Sequence, residues 1–228
     1  MSSAGDDDDL PVAGTAVILR DAPGGRDAPG GPGAAGGIEV LLLRRPDRGS
    51  FAGAWVFPGG MVEDGDRVDG AEESEDAGRA AVRETGEEVG LALERLVLLS
   101  CWVPPAGIPK RVRTWFFLAA DTGEQVHASP DEVVETRWFR PQAALAARDE
   151  GRLTLLPPTW RTLHGLRTLT SVEQALTRPA DPDLFCTRFR RTAAGAVFFW
   201  DGDELAGAPE GGRERLVVED PVWRFEQS

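Results

Sequence analysis

The order of elements in the sequence predicts an α/β fold: a mixed β-sheet with helices on both faces, followed by a C-terminal extension. Three observations carry that expectation. Apolar runs of strand length recur at residues 13–20, 38–45, 93–102 and 111–120. Segments of helical character are interleaved with them, one starting near Ser74 and others over 141–148 and 153–177. Beyond about residue 180, short β-like runs alternate with glycine-rich turns.

Taken in order, MSSAGDDDDL (1–10) is too acidic and polar to join a core and reads as a disordered tail. AGTAVILR (13–20) is the first strand. DAPGGRDAPGGPGAAGG (21–37) is too rich in Gly and Pro to fold compactly and reads as a flexible loop. IEVLLLRR (38–45) is expected to pair with the first strand across that loop. Residues 46–71 read mostly as loop, with one strand-like patch, AWVFPGG, at 54–60. Ser74 is expected to cap the next helix, with Glu75 and Asp76 at the positive end of its dipole and Gly90 at its stop. Strands follow at 93–102 and 111–120, then VVETRWFR (133–140) after a loop containing Pro130. PQAALAAR (141–148) has helix character, and a second helical region covers 153–177, with Pro157-Pro158 read as a stop. LFCTRFRR, AVFFW and RERLVVED are the β-like runs of the last forty residues. The expected organisation is an α/β core over 11–140, a helical segment over 141–178 and a β-rich extension over 179–228.

A net charge of −13 over 228 residues argues against nucleic acid or a membrane surface as partner, although a local basic pocket could hold a small phosphorylated ligand. Cys101 and Cys186 stand in no CxxC or Cys/His pattern, so two reduced, partly buried thiols are expected. The N-terminus is unlike a secretory signal, no apolar run nears the roughly 18 residues of a membrane span, and the terminal FEQS is no peroxisomal address. A soluble cytoplasmic protein is the expectation.

The chemistry concentrates in RETGEEVGL, residues 83–91. On a helix, the spacing of Glu84, Glu87 and Glu88 puts all three carboxylates on one face. Such a face is costly unless water screens it or a cation binds, and Mg²⁺ wants hard oxygen ligands with substrate phosphates completing its shell. A solvated acidic face is the alternative. Upstream, Trp55-Val56-Phe57-Pro58-Gly59-Gly60 supplies a glycine turn whose backbone can approach a metal or phosphate closely.

These residues resemble the box of the Nudix hydrolase family, G-x5-E-x7-R-E-U-x-E-E-x-G-U, with U a bulky apolar residue. Arg83, Glu84, Glu87, Glu88, Gly90 and Leu91 match its second half, and Glu75 stands seven residues before Arg83. Between Gly60 and Glu75 lie 14 residues where the box has five, so nine are inserted, and Glu72 or Glu73 could substitute for Glu75. Thr85 stands at the apolar position, and Gly86 inside the helix costs about 1 kcal/mol against Ala.

The resemblance implies a Nudix-type α/β/α sandwich and a Mg²⁺-dependent pyrophosphohydrolase, with Mn²⁺ as the alternative ion. It implies Glu84, Glu87 and Glu88 as ligands, helped by the Gly60 carbonyl, with Arg83 holding Glu84 by a charge-assisted hydrogen bond or simply pairing with Glu87 on the surface. The general base is Glu84 or a loop glutamate in SPDEVVETRWF, with Glu132 the candidate and Glu135 its competitor.

For the substrate, LLLRRPDRGSFAGAWVFPGG partly resembles the segment before the box in coenzyme A diphosphatases. Leu41, Leu42, Arg44, Gly53 and FPGG match; an Arg falls one place off at Arg48, and a Thr is missing. SCWVPPAGIPKRVRTWFFLAA and LLPPTWRTLHGLRTLTSVEQAL resemble the peroxisomal-type branch and its bacterial relatives, which also carry an insertion in the box. That implies coenzyme A or acyl-CoA as substrate and a helical segment over the active site from Pro157 to Leu176. Arg44, Lys110, Arg111 and Arg113 are the candidate substrate contacts, Arg111 and Arg113 sharing one strand face or a merely solvated one. Trp102, Trp115, Phe116 and Phe117 could stack a base or fill the core. Pro104 and Pro105 fall near the proline of ADP-ribose enzymes, so ADP-ribose or another nucleotide-sugar or dinucleotide is the alternative. A chain with no tyrosine lacks the Tyr typical of diadenosine-polyphosphate enzymes. A non-catalytic nucleotide-sensing module is the remote alternative, and the C-terminal β-runs could build a homodimer interface.

Overall fold

The computed structural model describes residues 9–23, 36–49, 51–108, 110–177, 181–219 and 222–228. The expected tail over 1–10 and loop over 21–37 therefore lie largely outside the described residues. Strand β1 (Val12–Asp21) pairs antiparallel with β2 (Ile38–Arg44), as expected, with Leu19 opposite Val40. The 54–60 patch splits into β3 (Trp55–Val56) and β4 (Gly59–Met61), because Phe57-Pro58 turns the chain from the edge of β2 to the start of β1. After a 3-10 turn at Asp64–Asp66 come helix α1 (Glu73–Val89), β5 (Val97–Val103), β6 (Arg113–Ala120) and β7 (Glu135–Phe139).

These strands and β8 (Asp183–Cys186) form an eight-stranded sheet with the path β3-β2-β1-β6-β5-β8, β4 pairing with β1 and β7 with β2. The β1–β6 and β5–β8 pairs are parallel and the others antiparallel, so the sheet is mixed. Its central strands are apolar on both faces because both faces are covered. Val17 and Leu19 of β1 and Val40 and Leu42 of β2 face one core; Ala16, Ile18, Leu41 and Leu43 face the other.

Helix α1 covers the second face through Ala77, Ala80 and Ala81. It rides so close to β1 that a Cβ on Gly14 would lie 1.7 Å from the Ala77 carbonyl oxygen. The helix begins at Glu73, one residue before Ser74. Its N-cap is Glu72, whose N–H donates to the Glu75 carboxylate at 3.2 Å. That reciprocal pair, with Glu three residues into the helix, sets the start ahead of Ser74. Gly90 ends it at φ 69°, as expected.

The other face carries α2 (Pro141–Asp149), α3 (Pro157–Leu166) and α4 (Val172–Leu176). Here Pro157-Pro158 starts α3 rather than stopping a helix, since proline suits the first turn, where no N–H partner is needed. The C-terminal strands β9 (Arg188–Arg191), β10 (Ala196–Phe199), β11 (Glu214–Glu219) and β12 (Val222–Gln227) make a second, four-stranded antiparallel sheet. LFCTRFRR thus divides at Thr187 between the two sheets, and the strand over 222–227 is one that glycine-turn reading passed over. Trp200, just after β10, and Leu216 of β11 join the core with Trp102, Phe116 and Phe185. Among the described residues no helix is long and apolar enough to cross a membrane.

Candidate active site

Strand β4 pairs with the start of β1, Gly60 opposite Gly14 and Gly59 opposite Thr15, directly beneath α1. This brings the glycine turn under the carboxylates of the helix. A Cβ on Gly60 would lie 2.1 Å from Glu84 Oε1, so only glycine lets that carboxylate settle there. Glu88 is buried, 1% exposed; its Oε2 accepts from the Gly59 N–H at 2.9 Å and its Oε1 from Arg45 Nη1 at 2.7 Å. Glu87 is exposed and pairs with Arg83 at 3.1 Å.

Arg83 makes the contacts of both alternatives and one unexpected. Its Nη1 donates to Glu84 and to Glu87, each at 3.1 Å, while Nη2 donates to the Met61 carbonyl at 2.9 Å. Its Nε and Nη2 also hold the buried carboxylate of Asp66, at 3.2 and 3.0 Å. Burial would raise the Asp66 carboxyl, but the Arg83 hydrogen bond and the Glu63 N–H hold it below its ordinary value. Asp66 stands five intervening residues after Gly60, the spacing the box gives its first acidic residue. Glu75, counted back from Arg83, instead caps the helix. The nine-residue insertion therefore follows Asp66. It is tied to α1 by Asp76, itself paired with Arg79, accepting from the Val68 N–H, and Asp66 just before it is held by Arg79 Nε donating to its carbonyl at 2.6 Å. Counting five residues forward from Gly60, and reading Asp for Glu, was the signal in the sequence that could have found Asp66.

The loop expected to carry the base docks on the last turn of α1. The N–H groups of His127 and Ser129 take the carbonyls of Val89 and Glu88, both at 2.8 Å. Glu132 is exposed at the end of this loop and its charge acts on both Glu84 and Glu88. Glu135 lies in β7 opposite Arg44. Burial raises the Glu84 carboxyl, Arg83 opposes, and Glu87 and Glu132 add to the rise. Burial likewise pushes Glu88 up to about 7, against the Gly59 N–H and Arg45, with Glu84 and Glu132 adding.

Thr85 is fully buried and its hydroxyl bonds the Ala81 carbonyl at 2.7 Å, which satisfies the polar atom at an apolar position. The candidate substrate arginines are tied elsewhere. Arg44 pairs with Asp47 at 2.8 Å, and Arg111 donates to the Pro104 carbonyl at 2.9 Å from outside β6, so it shares no strand face with Arg113. Arg113 pairs with Glu73 at 2.7 Å. Glu73 is eleven residues before Glu84, about 16 Å away along the helix axis. Lys110 is exposed. The neighbouring Arg45, which sequence reasoning passed over, is the one that reaches the glutamates. Trp102, Phe116 and Phe117 are core residues, Trp102 stacked on Phe185 at 4.1 Å, and Trp115 donates its Nε1–H to Glu73 at 2.7 Å. Cys101 is buried and its thiol is pushed up by burial to about 12; Cys186 is exposed rather than partly buried.

Among the described residues no three His, Cys, Asp or Glu side chains converge into a ready-made cation cage. The donor set nonetheless suits a hard divalent cation. It is all oxygen, it is pressed against a glycine backbone, and its like charges raise one another's protonation.

The NUDIX domain family matches residues 30–157. An RNA pyrophosphohydrolase of Dinoroseobacter shibae is 31% identical over 110 residues, 40% of this chain. The match spans 63% of that relative's length. A NUDIX hydrolase from Alicyclobacillus acidocaldarius has 23% identity and a TM-score of 0.60, covering 75% of this chain and 97% of that one. The NUDIX domain of Shewanella oneidensis NrtR, solved with ADP ribose, has 14% identity and a TM-score of 0.50, covering 72% and 91%. Both structures share the mixed sheet between helices.

Proposed function

The chain belongs to the Nudix family, and on that premise we propose that it is a metal-dependent pyrophosphohydrolase acting on a nucleoside diphosphate derivative. The observation that carries the proposal is the seating of Glu84 on Gly60, with Glu88 anchored to Gly59 and Glu132 within electrostatic reach. Glu84, Glu87 and Glu88, with the Gly60 carbonyl, would hold Mg²⁺ or Mn²⁺. Bound there, the ion would supply charge neutralisation at the phosphoryl oxygens and a more acidic water. The rest falls to the chain. Arg83 orients Glu84, Gly59 orients Glu88, and Glu132 or Glu84 takes the proton of the attacking water. Arg44 and Lys110 are the proposed outer substrate contacts; Arg111 and Arg113 act as local ties.

Coenzyme A or acyl-CoA is the first proposed substrate, supported by the residues around FPGG and by the box insertion. ADP-ribose is the second reading, supported by Pro104 and Pro105. The Dinoroseobacter relative is named for action on RNA, but the charge of −13 opposes an RNA partner here. Incubation with each of these, NADH and nucleoside triphosphates, with Mg²⁺ or Mn²⁺ and product masses as readout, tests the assignment. Coenzyme A should yield adenosine 3′,5′-bisphosphate and 4′-phosphopantetheine. Cleavage of ADP-ribose with coenzyme A intact would overturn the substrate.

A further inference from the structure

The carboxylate most deeply placed in the site is answered by two donors of different kinds. Gly59 N–H, part of the β4 backbone, fixes Glu88 Oε2 at 2.9 Å. Arg45 Nη1, at the end of a flexible side chain, takes Oε1 at 2.7 Å. The Glu88 side chain is 2% exposed and that of Arg45 is 32% exposed, so the guanidinium is the member that faces solvent. Arg45 is anchored by its own backbone, its N–H donating to the Ala54 carbonyl at 2.9 Å. Among the described residues Glu88 is its only acidic partner. A buried carboxylate needs a counter-charge, and here the chain provides one of its own.

Resting on the metal-site reading above, we propose that Arg45 is an exchangeable counter-ion: it occupies Glu88 in the metal-free protein and yields Oε1 to the incoming divalent cation. Two cations on one carboxylate oxygen repel each other, and only one of the two donors can leave. Gly59 stays with the strand, so Glu88 keeps its orientation while Oε1 changes partner. The released guanidinium, still tethered at Arg45, then lies beside the cation, where a diphosphate oxygen would accept from it. Arg45 is a positioning residue for the metal step and a charge for the substrate step.

Mn²⁺ titration followed by electron paramagnetic resonance reads this without turnover. Arg45→Met should bind Mn²⁺ at least threefold more tightly than wild type, because the competitor is gone, while Arg45→Lys stays near wild type. Arg45→Gln, which keeps a hydrogen bond but no charge, gives the same reading if the Met variant folds poorly. In turnover, Arg45→Met should raise KM more than it lowers kcat. Equal or weaker Mn²⁺ binding by the uncharged variants overturns the exchange. Glu88→Gln separates the two claims: it should weaken Mn²⁺ binding, and wild-type affinity there would sink the metal-site reading itself.

Discussion

Arg83 gathers four partner residues from three parts of the chain: Met61 of β4, Asp66 of the 3-10 turn, and Glu84 and Glu87 on its own helix. Glu84 therefore depends on Asp66 at one remove. Asp66→Asn should lower kcat about tenfold or more with the helix intact, whereas Glu75→Gln should cost helix stability and leave kcat near wild type. Kinetics and thermal melts of both variants check this; a larger kcat loss from Glu75→Gln would return the box position to Glu75. The glutamates, Arg83 and the FPGG turn were legible because chemistry and spacing coincide in a short local window. Asp66 shows only in the count forward from Gly60, with Asp read for Glu, and Arg45 not at all, because its role depends on a contact 43 residues away that only the fold brings together.

At the scale of elements, the apolar strands and the capped helix were readable from period and length, and the errors fell at boundaries. Ser74 lost the cap to a Glu72–Glu75 pair, and Pro157-Pro158 opened a helix. Short strands such as β3 and β4, two and three residues long, carry too few residues for a period to stand out. Gly86 sits in α1, exposed, with nothing within 4 Å of where a Cβ would be. Gly86→Ala should thus stabilise the protein by about 1 kcal/mol, seen as a higher midpoint in denaturant. A lower midpoint would mean that this turn of the helix needs glycine for another reason.

On the scale of the whole molecule, the C-terminal sheet is bonded into the same core as the site-bearing domain. Asp203 is fully buried and is held by Arg215 at 2.6 Å, and Trp200 packs against Trp102 at 5.6 Å. At the junction His164 of α3 stacks on Trp160 at 4.9 Å and meets Phe225 of β12. Burial, then Arg167 and Arg161, lower its pKa to about 4 from an ordinary 6.5. Below 6.5 the unfolded chain takes up a proton that the native state refuses, so stability falls as pH drops from about 6.5 to about 4. Melting temperature against pH should show a shallower acid slope for His164→Phe than for wild type, and identical slopes would refute it.

The oxygen set over Gly60 is proposed to perform diphosphate cleavage. That role is tested most directly by the Mg²⁺-dependent turnover of Glu84→Gln, measured beside wild type on whichever substrate of the panel wild type cleaves. The expected result is a loss of kcat of about a hundredfold or more with an unchanged melting temperature. A Glu84→Gln protein that turns over at the wild-type rate would contradict it.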